Sequence, residues 1–325
     1  MIDKTVPKKD YREHNGLFQV LDHQKVTDET GELYDIGKDY FGFDPYDKVP
    51  GPTYKADTTP DLIYIADTYG VYDDDLEERP DGEKSTLLYG GIDLLEWNAV
   101  MESKSEQTTL IAEFNTFASP TEKSVSSIMQ KNLGVSWDGW TGRYFPDFES
   151  DEVPDWLIRE YEQQSGKEWA FKKSGIAFGH DSGKVVVLDH TASKGKVRFT
   201  PTELGAEQFP SMKNSPYLYW FDIVEPLEGS KELASYSFDL TEKGKSMLQE
   251  AGIPTEFPAI MHNPSNKTYY FAGDFADYEK RAFTRWIGLP KLYQFFSTDV
   301  SEFYWKSYFP MISEIITQID NEKVR

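Results

Sequence analysis

The amino-acid sequence predicts an α/β fold in which helices flank a parallel sheet. Residues 62–66 and 109–114 are short apolar runs without polar alternation, a pattern typical of strands buried on both faces. Each run is followed by a polar loop and a segment of helical spacing, so strands and helices alternate as they do in βαβ units. Later segments read instead as hairpins, which adds an antiparallel portion to the predicted fold.

The first part of the chain predicts three kinds of segment. Residues 1–10 resemble a tether, residues 11–26 a short amphipathic helix, and the rest of 1–58 a long polar loop. The α/β domain is predicted to span 59–280. Ser119 is predicted to be the N-cap of a helix that ends at Gly134, because Pro120 and Glu122 follow it at favourable positions.

The second half of the chain predicts hairpins, helices and a helical extension. The predicted elements are a helix at 153–169, a hairpin at 175–188, strands at 217–224 and 233–238, a helix at 240–252, and a hairpin at 257–273. Residues 281–325 form the predicted C-terminal helical extension. Pro310 lies inside its last helix, so we expect a kink or two helices there.

Composition excludes several classes of function. The chain has 325 residues, a formal net charge of −22 and no cysteine. The negative charge would repel a nucleic-acid backbone, and the lack of cysteine rules out thiolate chemistry and disulfides. We expect no cofactor and no metal. The same lack of cysteine and the tether-like start predict an extracytoplasmic protein, with a membrane link only through an anchor outside this chain.

Candidate site residues follow from the strand ends. In an open parallel sheet, ligands bind beyond the carboxyl ends of the strands. That rule nominates Asp67, Tyr69, Glu113 and Asn115, with Asp274 and Asp277 as later additions. Asp67 and Glu113 are the candidate acid and base of a catalytic pair. The alternative is that such side chains only cap helices and join loops.

Two further clusters have alternative interpretations. Trp140 and Arg143 lie in the glycine-containing segment 137–144, where exposed rings and a guanidinium would suit a glycan; the alternative is a packed loop over the sheet edge. The acidic segment 73–84 could gather calcium, but its spacing is not that of a calcium-binding loop. We therefore predict that this segment is solvent-exposed and binds no metal tightly.

The order of these segments resembles the class I glutamine amidotransferase-like superfamily, in particular its branch with ThuA-like proteins and β-galactosidase trimerisation domains. The resemblance lies in the strand at 62–66 ending at Asp67, in Tyr89-Gly90-Gly91 before a helix and the strand at 109–114, in residues 233–236, and in the hairpin around 258–271. It implies a flavodoxin-like parallel sheet. It also implies a catalytic cysteine after the central strand, and residues 113–120 contain none. Glutamine hydrolysis as that superfamily performs it is therefore excluded.

These observations predict a non-catalytic extracytoplasmic domain that binds a glycan or a protein partner in a bacterial envelope or exopolysaccharide system. One alternative is a carbohydrate-active hydrolase that uses Asp67 and Glu113. Another is a scaffold or oligomerisation domain. The surroundings of the two carboxyl groups discriminate between them: a shared pocket favours the enzyme, and bonds into separate loops disfavour it.

Overall fold

The computed structural model describes residues 1–76, 86–279, 288–298 and 300–323. Its strands are β1 Ile2–Asp3, β2 Phe41–Asp44, β3 Val49–Pro50, β4 Leu62–Ile65, β5 Val71–Tyr72, β6 Leu87–Tyr89, β7 Thr109–Ala112, β8 Val135–Phe145, β9 Gly175–His180, β10 Val185–Leu188, β11 Val197–Pro201, β12 Ser215–Tyr217, β13 Phe221–Pro226, β14 Lys231–Ser237, β15 Glu256–Asn263 and β16 Thr268–Phe271. Its helices are α1 Arg12–Gln24, α2 Asp73–Leu76, α3 Leu94–Ser103, α4 Lys123–Leu133, α5 Asp155–Ser165, α6 Glu203–Gln208, α7 Glu242–Ala251, α8 Leu289–Phe296, α9 Val300–Phe303 and α10 Phe309–Lys323, with a π-helical stretch Tyr304–Tyr308 between the last two.

A ten-stranded mixed sheet organises the chain, in the order β12-β11-β14-β15-β16-β7-β4-β1-β2-β3. The strands from β16 to β2 are parallel, whereas β12 to β16 and the β2–β3 pair are antiparallel. In the centre Ile63 pairs with Leu110, and both are buried. The predicted α/β class, with its parallel centre, antiparallel portion and C-terminal helices, is confirmed.

The N-terminal segment differs from its prediction. We expected residues 1–10 to be a tether, but Ile2 and Asp3 form a parallel strand between β4 and β2 and are fully buried. A strand of two residues carries no periodic signal, so its place in the sheet is set by distant partners rather than by local sequence.

The segment 137–144 is a strand, not the predicted loop. It belongs to β8 in a second sheet with the order β10-β9-β8-β13. Gly142 lies where a Cβ atom would come within 2.6–2.8 Å of the Phe221 and Phe178 rings, so this glycine serves close packing. The outer face of this sheet covers a small core of its own, which includes Phe145, Phe148 and Leu157.

Two helix predictions also change in detail. The helix after β7 begins at Lys123 rather than at Ser119, and Gly134 ends it in the left-handed conformation as expected. The C-terminal helix continues through the π-helical stretch directly before Pro310. A π turn accommodates the missing N–H and the bulk of the proline ring, which explains the single interrupted helix. Within the described residues, none of the helices has the length and hydrophobicity needed to cross a bilayer.

Candidate functional site

The carboxyl ends of β1, β4, β7 and β16 meet at one edge of the parallel sheet. Asp3 closes β1, Asp67 follows β4, Glu113 follows β7, and Asp274 comes shortly after β16. Glu13 and Asp277 approach from α1 and from the segment after β16, and Asp222 approaches from β13. We call these residues the carboxyl-edge cluster: Asp3, Glu13, Asp67, Glu113, Asp222, Asp274 and Asp277.

Asp67 is held by a tight local turn at the end of β4. Its Oδ1 accepts a hydrogen bond from the Tyr69 backbone N–H at 2.7 Å, and its Oδ2 faces Asn115 Nδ2 at 3.5 Å. The residue is only 6% exposed. Burial, together with the charge of nearby Asp3, raises the Asp67 pKa to about 7. At neutral pH a large fraction of this carboxyl therefore carries a proton.

Glu113 is sealed inside the protein. One carboxyl oxygen accepts a hydrogen bond from the Tyr64 hydroxyl, and the other accepts the backbone N–H groups of Phe275 and Ala276, each at 3.1 Å. The Tyr64 hydroxyl lies 2.9 Å from the Tyr308 hydroxyl. Burial raises the Glu113 pKa well above its ordinary value. Both oxygens are occupied by the protein, so this side chain joins β4, β7, the segment after β16 and the C-terminal helix.

The segment after β16 brings Asp274 and Asp277 beside α1. Arg12 binds the Asp277 carboxylate through Nε and through Nη2, the latter at 2.6 Å from Oδ2. Asp277 has the Asp274 carboxyl as a hydrogen-bonding neighbour. Burial and the Asp277 charge raise the Asp274 pKa well above its ordinary value, although Arg12 opposes the shift.

Glu13 and Asp222 complete the cluster, and each has a buried oxygen without a hydrogen-bond partner among the described residues. Burial, followed by the charges of Asp3 and Asp277, raises the Glu13 pKa well above its ordinary value. Asp222 is 1% exposed, and its Oδ2 accepts the Tyr270 hydroxyl. Burial raises the Asp222 pKa to about 7. The Asn115 backbone N–H lies beside this carboxyl and lowers its pKa, which opposes part of the effect of burial.

Aromatic rings lie beside these carboxyl groups. The Tyr69 side chain is 40% exposed. Phe114 and the half-buried Trp220 stack with an interplanar angle of 10° and a centroid distance of 6.4 Å. The Asp274 N–H donates to the Trp220 carbonyl oxygen at 3.2 Å, which ties the Trp220 backbone to the segment that carries Asp274. The edge therefore combines hydrogen-bonding groups with flat apolar faces.

The structure brings Asp67, Tyr69, Glu113 and Asn115 together, as well as Asp274 and Asp277. Trp140 and Arg143 lie elsewhere, on β8. They are three residues apart in a strand, so they point to opposite faces of the second sheet. Trp140 is 5% exposed, packs in the main core and borders a cavity of about 510 Å³ with Tyr161 and Phe171. Arg143 forms an ion pair with Glu152 and lies over the Phe145 and Trp220 rings. Trp220 therefore lies between Arg143 and the carboxyl edge.

Asp3, Glu13 and Asp222 were not nominated from the sequence. Asp3 lies in the segment that we predicted to be a tether, and Glu13 lies on α1, outside the predicted domain. Asp222 belongs to the second sheet, which reaches the main sheet through the Asp222 N–H bond to the Ala272 carbonyl oxygen at 3.2 Å. The sequence did contain one indication for Asp222. This residue lies inside the apolar segment 217–224, and a carboxyl group buried among apolar residues usually has a structural or functional role.

The acidic segment forms a short helix, α2, in its described part. Asp74 and Asp75 are exposed there, and residues 77–84 lie outside the described residues. In the described ranges, no group of three or more histidine, aspartate or glutamate side chains could hold a metal ion.

A second large cavity, of about 1130 Å³, opens at the amino ends of the parallel strands. Tyr34, Tyr54, Asp61 and Leu62 contribute to its wall. It lies at the opposite end of β4 from Asp67, so it is a separate place in the molecule.

Comparison of the chain with family models, with curated proteins and with solved structures finds no match. The chemistry of the carboxyl edge is therefore the basis for assigning a function.

Proposed function

We propose that this protein binds a glycan at the carboxyl edge of its sheet and acts as a non-catalytic binding domain outside the cytoplasm, in an envelope or exopolysaccharide system. The observation that carries the proposal is the adjacency of carboxyl groups and aromatic faces at this edge. Sugars present hydroxyl groups at the rim of the ring and apolar C–H groups on its faces, so they are recognised by this combination.

Five side chains of the site have separate roles in this proposal. Asp67 and Asn115 would accept and donate hydrogen bonds to the sugar, and the half-buried Asp274 would offer a further carboxyl group. Tyr69 supplies an exposed ring, and Trp220 supplies a half-buried one. A sugar ring stacked on Tyr69 would bury one face while its hydroxyl groups turn toward the carboxyls.

A glycan array followed by calorimetry tests this function. Tyr69→Ala is expected to weaken binding of the best glycan at least about tenfold, because truncation removes a large stacking surface worth more than 1 kcal/mol. Tyr34→Ala is the matched control: Tyr34 is 42% exposed, close to the 40% of Tyr69, and it lies in the cavity at the other end of the sheet.

Two results would contradict the proposal. One is the absence of binding to any glycan on the array, which would favour a scaffold. The other is a glycan whose affinity depends on Tyr34 and is unchanged by Tyr69→Ala, which would move the site to the amino-end cavity.

A second candidate function is hydrolysis of a glycosidic bond. The specific observation is the Asp67 pKa of about 7, which gives a buried acid at neutral pH. Asp67 would protonate the leaving oxygen while a second carboxylate takes a proton from the attacking water, so that one water is added across the broken bond. Glu113 has both oxygens bound by the protein, so Asp274 replaces it as the second group.

Release of reducing sugar ends discriminates between the two functions. Hydrolysis that is lost in Asp67→Asn, in a variant that still binds the glycan, would establish the enzyme. Binding without any release of reducing ends supports the non-catalytic domain.

A further inference from the structure

We propose that the outer edge of β10 binds an extended, uncharged peptide segment of a protein partner, which joins the second sheet as an added strand. We call the side of residues 185–187 that faces away from β9 the β10 edge. It is separate from the carboxyl edge, because β10 and β13, the strand that carries Asp222, are the two outer strands of the second sheet. The inference therefore goes beyond glycan binding and does not depend on it.

The pairing of β10 with β9 decides which backbone groups face the β10 edge. The two strands are antiparallel, and just before β10 the His180 N–H donates to the Lys184 carbonyl oxygen at 2.9 Å. In an antiparallel pair, residues that bond to the partner strand alternate with residues whose backbone groups point away from it. Val186 therefore bonds to β9 as Lys184 does, whereas Val185 and Val187 direct their N–H and carbonyl groups outward.

The side chain of Gln164 on α5 occupies the first outward position. Its Oε1 accepts the Val185 N–H, and its Nε2 donates to the Val185 carbonyl oxygen, each at 2.9 Å. A side-chain amide offers the same donor and acceptor as a peptide group. Gln164 therefore fills the place that a neighbouring strand would take, and it shows that the β10 edge accepts an amide group.

The second outward position is open. Val187 is 4% exposed, and its outward N–H and carbonyl groups have no hydrogen-bond partner among the described residues. Buried backbone groups are nearly always paired, and unpaired groups on an outer strand are a template for another strand. An extended peptide supplies both missing partners at once, because its own N–H and carbonyl groups have the matching spacing.

A cavity of about 510 Å³ lies along the β10 edge, between α5 and α7, and its size is usual for a ligand site. Its wall is apolar on both faces of the second sheet. Tyr161 and Phe171 line it from the small core, and Trp140 and Met247 line it from the main core. Successive side chains of an added strand point to opposite faces of the sheet, so each would meet an apolar wall.

The surroundings of the cavity specify the occupant further. Lys184 and Lys243 border it together with Asp189 and Glu250, and Lys243 Nζ lies 3.5 Å from Asp189. The formal charges at the rim therefore cancel, although the chain as a whole carries −22. An uncharged segment fits this rim, because a charged one would be buried against valines without a counter-charge. Since two helices flank the cavity, a single strand fits between them better than the edge of a second folded copy.

Peptide selection with two matched variants tests the inference. Displayed linear peptides are selected on the wild-type protein, and the strongest one is synthesised for calorimetry. Val187→Pro removes the outward N–H but no bond to β9, a change that outer strands tolerate. It should weaken peptide binding at least about tenfold, because the peptide carbonyl opposite would be buried without a donor. Val187→Ala is the control: it shortens the side chain, keeps the N–H and should keep the affinity of wild type.

N-methylated peptides give a second test that leaves the protein unchanged. The selected peptide is synthesised with one backbone nitrogen methylated at a time. In an added strand, alternate N–H groups face β10, so methylation should weaken binding at alternate positions and be tolerated between them. This pattern decides the question even if Val187→Pro does not fold, which thermal unfolding of both variants shows.

Several results would overturn the inference. They are the absence of any selected peptide, equal affinity of wild type and a folded Val187→Pro, and methylation effects that do not alternate. Self-association that is lost in Val187→Pro, without peptide binding, would assign the β10 edge to a second copy instead. Peptide binding should survive Tyr69→Ala, and its loss there would place the peptide at the carboxyl edge. Failure of the peptide site leaves glycan binding standing, since the glycan array tests that separately.

Discussion

Asp67→Asn should make the protein more stable at alkaline pH and leave it almost unchanged only below about pH 4, where both states keep the proton. The substitution preserves the size of the side chain and keeps an oxygen that can accept the Tyr69 N–H. It removes only the ability to ionise. The two states of the wild-type carboxyl differ because burial holds its pKa at about 7 in the folded chain, against 3.8 for an ordinary aspartate.

The sign of the effect follows from which state holds the proton. Between pH 4 and pH 7 the folded chain keeps a proton on Asp67 that the unfolded chain has released, so stability falls as the pH rises through this window. For a carboxyl with these two pKa values, the free energy of unfolding falls by about 2–3 kcal/mol between pH 5 and pH 8. Glu13, Glu113, Asp222 and Asp274 shift in the same direction and add to the slope of the wild type.

Urea denaturation of wild type and variant at pH 5 and pH 8 measures this difference. The variant should keep the slope that the other carboxyls cause and lose the part due to Asp67, so its gain in stability over wild type should be about 2–3 kcal/mol larger at pH 8 than at pH 5. Glu228→Gln removes an exposed carboxyl and should follow wild type at both pH values. Parallel curves for wild type and Asp67→Asn would show that Asp67 is ionised normally and would refute the reasoning.

Two further substitutions test the structural side of the cluster. Glu113→Ala should lower the free energy of unfolding by about 3 kcal/mol, because the Phe275 and Ala276 N–H groups and the Tyr64 hydroxyl lose their acceptor. Glu113→Gln should cost less than half of that. Equal losses of stability for the two variants in urea titrations would contradict this role of Glu113. Arg12→Ala leaves Asp277 buried without its cation, so it should lower the free energy of unfolding by about 2 kcal/mol at pH 8, after allowing for the partial exposure of Arg12. The loss should be smaller at pH 5, where Asp277 can take up a proton. A loss of stability that is the same at both pH values would show that the ion pair is not its cause.

The parallel centre of the sheet could be predicted because its strands carry a local signal. The runs around Ile63 and Ile111 are apolar on both faces, and only a strand covered on both sides tolerates that pattern. The strand at Ile2 and Asp3 could not be predicted in the same way. Its two residues are strand because β4 and β2 lie on either side of it, and that information is spread over more than 60 residues of chain.

The same distinction separates the candidate site residues that could be predicted from those that could not. Asp67, Glu113 and Asn115 could be placed together because the rule for parallel strands needs only the ends of the strands. Trp140 and Arg143 could not, because Gly139 and Gly142 made β8 look like a loop. Gly142 is there for another reason: the Phe221 and Phe178 rings occupy the space of its side chain. From sequence alone, glycines in a strand suggest a loop, because the neighbouring rings that require them are not known.

The surroundings of the carboxyl groups separate those that hold the fold from those that do not. Glu113, Asp277 and Asp3 each have partners that use their oxygens, so the fold accounts for them. Asp67 and Asp222 also accept hydrogen bonds from the protein, but these two residues, Glu13 and Asp274 form no ion pair with a described residue. Their raised pKa values mean that they weaken the fold as the pH rises.

Groups that weaken a fold and still gather at the ligand-binding edge of a sheet are the expected mark of a functional site. The two sets should therefore respond oppositely to neutralisation. Substitutions in the first set lower stability. Asp67→Asn and Asp274→Asn should raise stability at pH 8 and weaken ligand binding in the same variants. A gain in stability accompanied by unchanged binding would mean that these carboxyls serve neither the fold nor the ligand, and the carboxyl edge would no longer be the site.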